Sequence, residues 1–600
     1  MALSVLHRMS ILLVCMSSLF ACSNGDDSQL MNELGVNAED SELGKSLFEP
    51  AREADEAKED SLTGKEGLPV SVDSSSTAVW EVLNQWSDVD TAAAKLAGVS
   101  WGENSGLTWD EKYSIWVDEM EVRDAESYGK TFTFKTPFGK NLPAPSLECA
   151  EVALFLRAAF ASWYNLPFFI EARDSQGSRL YLGHFGFRTE NGKYANSPDF
   201  KTAYKDYSDQ LDWVDRNGWP RDERLRKRKL GGSQDDEQPA IGEGAHAGTY
   251  FDEVFLNKRT GYFMIYLLSY FGSVNLADPS NTFNVASRMI RPGDVLLERW
   301  QRRGIGHTLV VKAVNVPEEG FFEVELASGS MPRRQPKWES AASSKYSLTA
   351  ENAGSNAISG EEIPFSRLGG GLKRWRTPVL QSDRWTNIVP SQDRAAYIPS
   401  NEYTRLGDRV EEFKELLVEL PPERKREAIL ERIQSQRMHL AQYPASCAAR
   451  IRREEAFAEL YELEREHFYT SQAEVDETYR KLDDYVLSAL VYEESKTCCW
   501  NSTTSEMYQI IMEFAQKEMA DQAANQGEAC FGPTVFRAVN GDYDTWRQFA
   551  IDTGRGEQWV NWSEDELCEQ RDTSNDVIDV TLKATDICEL SPNANVFSAE

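Results

Sequence analysis

The clearest periodic pattern in the chain follows Cys149. Pro143 and Pro145 disfavour helix before this point, and Ser146 is a predicted N-cap. The spacing that follows is that of one apolar helix face, so it predicts a core helix with Cys149 in its first turn. The apolar positions of this face are Val152, Phe155, Leu156, Ala159, Phe160 and Trp163.

A second pattern, of alternating residues, predicts a β-hairpin. Pro292-Gly293-Asp294 opens a strand, "HTLVVKAV" from His307 is β-branched, and a turn at 317–320 leads into "FFEVELAS". Alternation places Glu323 and Glu325 on one face of the hairpin. The other, apolar face carries His307, Leu309, Val311 and Ala313, and on the return strand Phe322, Val324, Leu326 and Ser328.

The register of this hairpin selects the residues that would orient the His307 imidazole. If the loop is Pro317 and Glu318, Ser328 falls opposite His307, whereas a slip of one residue brings Glu325 to that side. Ser328 is therefore the first candidate and Glu325 the second. The alternative is a strand-end histidine whose hydrogen bonds are made by backbone groups.

Tryptophans and helical patterns occupy the regions on either side. Five tryptophans between residues 77 and 130 favour core packing over a glycan-stacking surface. From about residue 400, Leu406, Val410, Phe413 and Leu417 recur at helical spacing, and further helical patterns follow. The tryptophans are Trp80, Trp86, Trp101, Trp109 and Trp116.

The first 22 residues have the build of a secretory signal, with Arg8, an apolar run from Ile11 to Met16 and small residues before Cys22. The ending "LFAC" resembles the lipobox of bacterial lipoproteins. That resemblance implies a lipidated Cys22, and Ser23 after it implies sorting to the outer membrane, facing the periplasm or the cell surface. The acidic, Ser- and Gly-rich stretch that follows predicts a flexible tether.

Charge and motif content limit the classes of partner. The formal net charge of -33 disfavours nucleic acid and anionic membrane surfaces. The one basic run, residues 221–232, is interpreted as a solvated helix or loop rather than a binding patch. Metal-ligand clusters, phosphate loops and dinucleotide fingerprints do not stand out, so we expect no cofactor and no metal.

Cysteine counting singles out Cys149. Of nine cysteines, Cys15 lies in the signal and Cys22 would carry lipid. An even set of six in an exported protein predicts three disulfides, in one of about 15 connectivities. That leaves Cys149 as an unpaired thiol, either a packing residue or a nucleophile. The six are Cys447, Cys498, Cys499, Cys530, Cys568 and Cys588.

Two segments together resemble the papain-like clan, and within it the NlpC-type cell-wall peptidases. They are "FGKNLPAPSLECAE", which contains Cys149, and "RPGDVLLERWQRRGIGHTLVV", which contains His307. The resemblance implies an α+β fold in which a helix carrying the cysteine packs on an antiparallel sheet carrying the histidine. It also implies that Cys149 is the nucleophile and His307 its base. Glu151 departs from the usual glycine of the motif.

These expectations combine into a domain plan and a function. We expect a lipid-anchored cysteine amidase or endopeptidase that cleaves peptidoglycan stem peptides, with a protein partner for the helical domain. The alternative is a non-catalytic surface lipoprotein that uses a degenerate papain-like body for binding or scaffolding. The predicted regions are a signal peptide (1–21), an acidic tether (22–76), a Trp-rich helical region (77–130), a papain-like domain (131–395, with an insertion at about 190–285) and a helical, disulfide-rich domain (396–600).

Overall fold

The computed structural model describes residues 61–560 with gaps, together with residues 585 and 587. The gaps are 90, 92–99, 103, 127–128, 174–176, 191–196, 210–217, 231–235, 301–305, 331–332, 361, 445, 489–503, 526–531 and 537–541. The predicted signal peptide, lipobox and most of the tether lie outside the described residues. So do the predicted disulfide cysteines, apart from the backbone of Cys447.

The chain is a mixed α and β structure whose named sheets are antiparallel, as the α+β prediction requires. The strands are β1 (Glu66–Pro69), β2 (Val122–Asp124), β3 (Lys130–Lys135), β4 (Asn141–Pro143), β5 (Phe169–Arg173), β6 (Arg179–Gly183), β7 (Gly186–Thr189), β8 (Thr282–Val285), β9 (Val295–Glu298), β10 (His307–Glu318), β11 (Phe321–Ser328), β12 (Lys337–Glu339), β13 (Gly371–Trp375), β14 (Thr377–Gln381), β15 (Arg384–Ile388) and β16 (Tyr397–Ile398). The α-helices are α1 (Trp109–Asp118), α2 (Cys149–Trp163), α3 (Phe200–Ala203), α4 (Glu223–Arg226), α5 (Ala247–Val254), α6 (Lys258–Tyr270), α7 (Ser273–Ala277), α8 (Ala341–Thr349), α9 (Tyr403–Leu416), α10 (Pro422–Gln442), α11 (Cys447–Leu463), α12 (Gln472–Tyr479), α13 (Leu482–Val486), α14 (Ser505–Asn525) and α15 (Asp542–Asp552).

A seven-stranded sheet forms the centre, with strand order β12-β11-β10-β9-β13-β8-β16. Three smaller sheets, each of three strands, surround it. The hairpin predicted from sequence is β10 and β11, but its loop is Glu319 and Gly320, because Glu318 still pairs with Phe321. The turn thus lies within the predicted 317–320, but the two-residue loop of Pro317 and Glu318 that would place Ser328 opposite His307 does not form. Gly320 has a φ of 91°, a conformation that glycine adopts without a steric penalty.

The central sheet is buried on both faces. Val310, Ala327 and Leu297 belong to the same apolar cluster as helix α2. Leu309 and Val311, which alternate with Val310, belong to the cluster on the other face, where α8 and α9 pack. The predicted apolar face of the hairpin is confirmed for most of its residues, but it faces away from α2, and an irregularity after Val311 places Val314 rather than Ala313 on it.

Helix α2 confirms the helix predicted after Cys149 and is more deeply buried than its pattern indicates. Residues 149–162 are buried on all sides of the helix. The region at 190–285 contributes to this burial, since Phe251 of α5 and Phe263 of α6 lie in the same cluster. The helix is capped by Glu148 rather than by the predicted Ser146.

The tryptophans of the 77–130 region confirm the packing interpretation. All five are buried in one cluster with α2. Trp86 lies beside Phe160 of α2 with a ring distance of 6.0 Å, and Trp116 lies 5.5 Å from the same ring. This region therefore forms part of the wall around α2.

Helices α10 to α13 are held together by a buried ion-pair network. The Asp484 carboxylate accepts hydrogen bonds from Arg437 and lies 3.1 Å from Arg453. Arg480 bonds to Glu454 at 2.6 Å. Burial alone would raise the pKa of Asp484, but the two arginines outweigh it and lower that pKa.

No helix in the described part of the chain is long and apolar enough to cross a membrane.

Substitution of Asp484 tests the importance of this network. Asp484→Asn leaves the buried Arg437 without its charge partner and leaves Arg453 with Glu454 alone, so we expect a loss of about 3–5 kcal/mol in the free energy of unfolding. Urea denaturation followed by circular dichroism measures it. Asp521→Asn is the control, because the pair of Asp521 with Lys517 is solvent-exposed and should contribute less than about 0.5 kcal/mol. Equal losses in both variants would contradict a structural role for the network.

Candidate functional site

Cys149 is the first residue of α2 and lies against the start of strand β10. Its Sγ atom donates a hydrogen bond to the Gly306 carbonyl at 3.7 Å, and the backbone N–H of Thr308 donates to the sulfur. The residue is 8% exposed. Cys149 is unpaired, as cysteine counting predicts.

The surroundings of Cys149 favour the neutral thiol. Burial, together with the nearby charge of Glu148, raises the pKa of Cys149 to about 12. The backbone N–H groups of Thr308 and Ala150 act in the opposite direction without reversing the shift. At neutral pH the group is therefore a thiol, whereas a poised nucleophile requires a lowered pKa or a base in contact.

Two glutamates and an arginine form hydrogen bonds and ion pairs at the first turn of α2. The backbone N–H of Glu148 donates to the Glu151 carboxylate at 2.7 Å, which forms one half of a capping box. Arg333 donates to both carboxylate oxygens of Glu151, at 3.0 and 2.8 Å, and lies 3.4 Å from Glu148. Glu151 is only 2% exposed, so Arg333 supplies the charge that makes its burial tolerable.

His307 is the first residue of β10 and pairs with Glu298 of β9. Along β10 its parity is that of Leu309, which packs on the face away from α2. The residue on the α2 side at this level is Thr308, paired with Leu297. The His307 side chain thus points away from α2, whereas the Cys149 sulfur contacts the backbone groups on either side of His307.

The environment of His307 is set by α8 and α11 rather than by α2. Burial, together with the charges of Arg452 and Arg334, lowers the pKa of His307 to about 3. Its cross-strand neighbour Glu298 has a raised pKa through burial, opposed by Arg452 and by the Ser347 hydroxyl. Within the described residues, the His307 imidazole makes no hydrogen bond to Cys149.

The two candidate orienting residues do not reach His307. Val310 pairs with Ala327, and continuing that register places Ser328 beside Leu309, two residues from His307. Glu325 pairs with Ala313 and accepts a hydrogen bond from Trp338 Nε1 at 2.8 Å. The structure therefore does not bring the four predicted catalytic side chains together.

Residues that the sequence did not single out shape the site. The Gly306 N–H donates to the Ser273 hydroxyl at 3.0 Å, and a Cβ on Gly306 would lie 2.7 Å from the Glu298 carbonyl. The side-chain amide of Gln238 makes two hydrogen bonds to the backbone of Ser146. Its Oε1 accepts from the Ser146 N–H at 2.7 Å, and its Nε2 donates to the Ser146 carbonyl at 3.0 Å. These contacts join segments far apart in sequence, so no local pattern signals them.

Comparison with known proteins gives no family: no protein-family model, no curated protein and no solved structure matches this chain. Within the described residues, no group of three or more His, Cys, Asp and Glu side chains is arranged to hold a metal ion.

Substitution of Arg333 tests whether its pairing with Glu151 holds the start of α2. Arg333→Met leaves the Glu151 carboxylate buried and unpaired, so we expect a loss of about 3–5 kcal/mol in the free energy of unfolding. The double variant Arg333→Met/Glu151→Met removes both charges and should recover most of that loss. Urea denaturation of the wild type, both single variants and the double variant gives the coupling energy. A coupling energy near zero would contradict a stabilising role for the Arg333–Glu151 pair.

Proposed function

We propose that this chain is a non-catalytic, lipid-anchored lipoprotein whose papain-like body serves in binding or scaffolding, and that Cys149 is a packing residue. The observation that carries this proposal is that the His307 side chain points away from α2, the helix that carries Cys149. A thiol with a pKa of about 12 that has no side-chain base in hydrogen-bond contact within the described residues adds to it.

Nucleophilic catalysis places a strong geometric demand on this site. A general base must come within about 2.6–3.2 Å of the proton that it removes, directly or through one water. For the His307 imidazole to reach the Cys149 thiol, the start of β10 would have to turn so that this side chain faces α2. Thr308, which is fully buried, already occupies the α2 side at that level.

The location of the protein follows from the lipobox resemblance. Lipidation at Cys22 would hold the body at the outer membrane, facing the periplasm or the cell surface. There the helices from residue 422 onward, stapled by three disulfides, would present a second folded surface to a protein partner. Peptidoglycan and peptides are the partners within reach at that location.

A second candidate function is a cysteine amidase or endopeptidase acting on peptidoglycan stem peptides. One observation favours it: the Cys149 sulfur lies in the first turn of α2 between the Gly306 carbonyl and the Thr308 N–H, at the strand end that carries His307. In that function His307 would take the thiol proton and the thiolate would attack the amide carbonyl. The amine would leave with that proton, and water would then release the acyl group.

Thiol alkylation distinguishes the two functions without a substrate. In the soluble form lacking residues 1–22, we expect iodoacetamide to leave Cys149 unmodified near neutral pH until the protein is unfolded, with the same rates in His307→Ala. Mass spectrometry against pH measures this, and Cys149→Ser is the control that identifies the reacting thiol. Rapid alkylation well below pH 8.5 that is lost in His307→Ala would establish a poised nucleophile and overturn the proposal.

Digestion of purified peptidoglycan provides the complementary test. We expect wild type and Cys149→Ser to release equal, background amounts of soluble muropeptides, measured by chromatography. Release by wild type alone would support the amidase.

A further inference from the structure

His246, which lies in a glycine-rich loop, forms a carboxylate–imidazole pair outside the Cys149 site. Its Nδ1 atom lies 3.0 Å from Asp236 Oδ1, and the other oxygen of Asp236 accepts the Leu230 N–H at 2.8 Å. Asp236 is fully buried, while the His246 side chain is 20% exposed. The pair therefore joins a fixed internal carboxylate to an imidazole that reaches solvent.

The carboxylate determines which atom of His246 is available to a ligand. An ionised carboxylate only accepts hydrogen bonds, so Nδ1 carries the proton that it receives. Nε2 is then the free atom, and within the described residues it has no hydrogen-bond partner. In the neutral ring Nε2 is an acceptor, and in the protonated ring it is a donor whose positive charge Asp236 stabilises from behind.

The basic run of the sequence is hydrogen-bonded to the helix and the carboxylate that hold this imidazole. The Arg226 carbonyl accepts a hydrogen bond from the Thr249 hydroxyl at 2.8 Å, and the Arg228 carbonyl accepts one from the Gly248 N–H at 2.9 Å. These bonds attach the segment from 226 to 230 to the first turn of α5, which His246 caps.

Two lysines of that segment have no counter-ion. Lys227 and Lys229 are exposed and form no ion pair within the described residues, whereas Arg226 is paired with Asp252 and Glu253. Charges of both signs surround the imidazole. Glu237 and Glu243 on the loop are exposed, and Arg333 acts on Asp236 from the other side.

We propose that His246, Lys227 and Lys229 form a binding site for the oxyanion group of a ligand, a phosphate or a carboxylate, with His246 protonated when the ligand is bound. The two ammonium groups supply positive charge in a chain whose net charge is -33. The protonated Nε2 supplies a charge-assisted hydrogen bond to the bound oxygen. Binding and proton uptake are coupled, so affinity rises as pH falls. This site does not use the Cys149 thiol.

Imidazole titration by NMR tests the site in the soluble form lacking residues 1–22, with isotope-labelled histidine. His246 is assigned by the signal lost in His246→Asn. We expect inorganic phosphate to raise the His246 pKa by at least about half a unit in the wild type, and Lys227→Gln/Lys229→Gln to abolish most of that rise. The charge-matched control Lys414→Gln/Lys517→Gln removes two exposed lysines elsewhere and should leave the rise intact.

Acetate identifies the source of the oxyanion. A rise with phosphate alone supports a phosphate-bearing ligand, and a rise with both anions supports a carboxylate ligand as well. No rise with either anion would overturn the site. An equal rise in the wild type and in both double variants would overturn it too, because general screening by salt would then be the cause. An unchanged His184 signal in every variant verifies the fold.

Discussion

Burial of the central sheet on both faces is the constraint on which the rest of this structure depends. Consecutive side chains of a strand point to opposite faces, so each position on β10 is committed to one of two cores. Val310 packs with α2, and Leu309 and Val311 pack with α8 and α9. Because both cores are filled, sliding β10 by one residue would move apolar groups into the wrong environment along the whole strand.

That constraint also determines the directions of the first side chains of β10, the strand end that Cys149 of α2 contacts. Thr308 has the parity of Val310 and faces α2, and His307 has the parity of Leu309 and faces α8. The helix that carries Cys149 is held in place by the pairing of Arg333 with Glu151 and by aromatic packing along its length. A thiol in such a site is protected from solvent and kept neutral, which suits packing better than attack on a substrate.

Sequence patterns predicted the elements more successfully than their mutual orientation. The helical spacing after Cys149 and the alternation in β10 and β11 were strong enough to predict a core helix and a hairpin. The same alternation could not tell which face of the hairpin meets α2, because Val310 and Leu309 are equally apolar. The two-residue loop of Pro317 and Glu318, on which the pairing of Ser328 with His307 depended, does not form because β10 continues to Glu318 and pairs irregularly with β11. Arg333 and Gln238 escaped notice because their partners lie nearly 100 or more residues away.

The imidazole of His307 provides the most direct test of this account. Its pKa is measured by NMR in the soluble form and in Cys149→Ser, with His307→Ala identifying the signal. The account predicts a neutral imidazole with a pKa of about 3 that is the same with and without the thiol. An imidazole pKa above about 6.5 that falls in Cys149→Ser would reveal a thiolate–imidazolium pair, and would contradict the orientation of His307 away from α2.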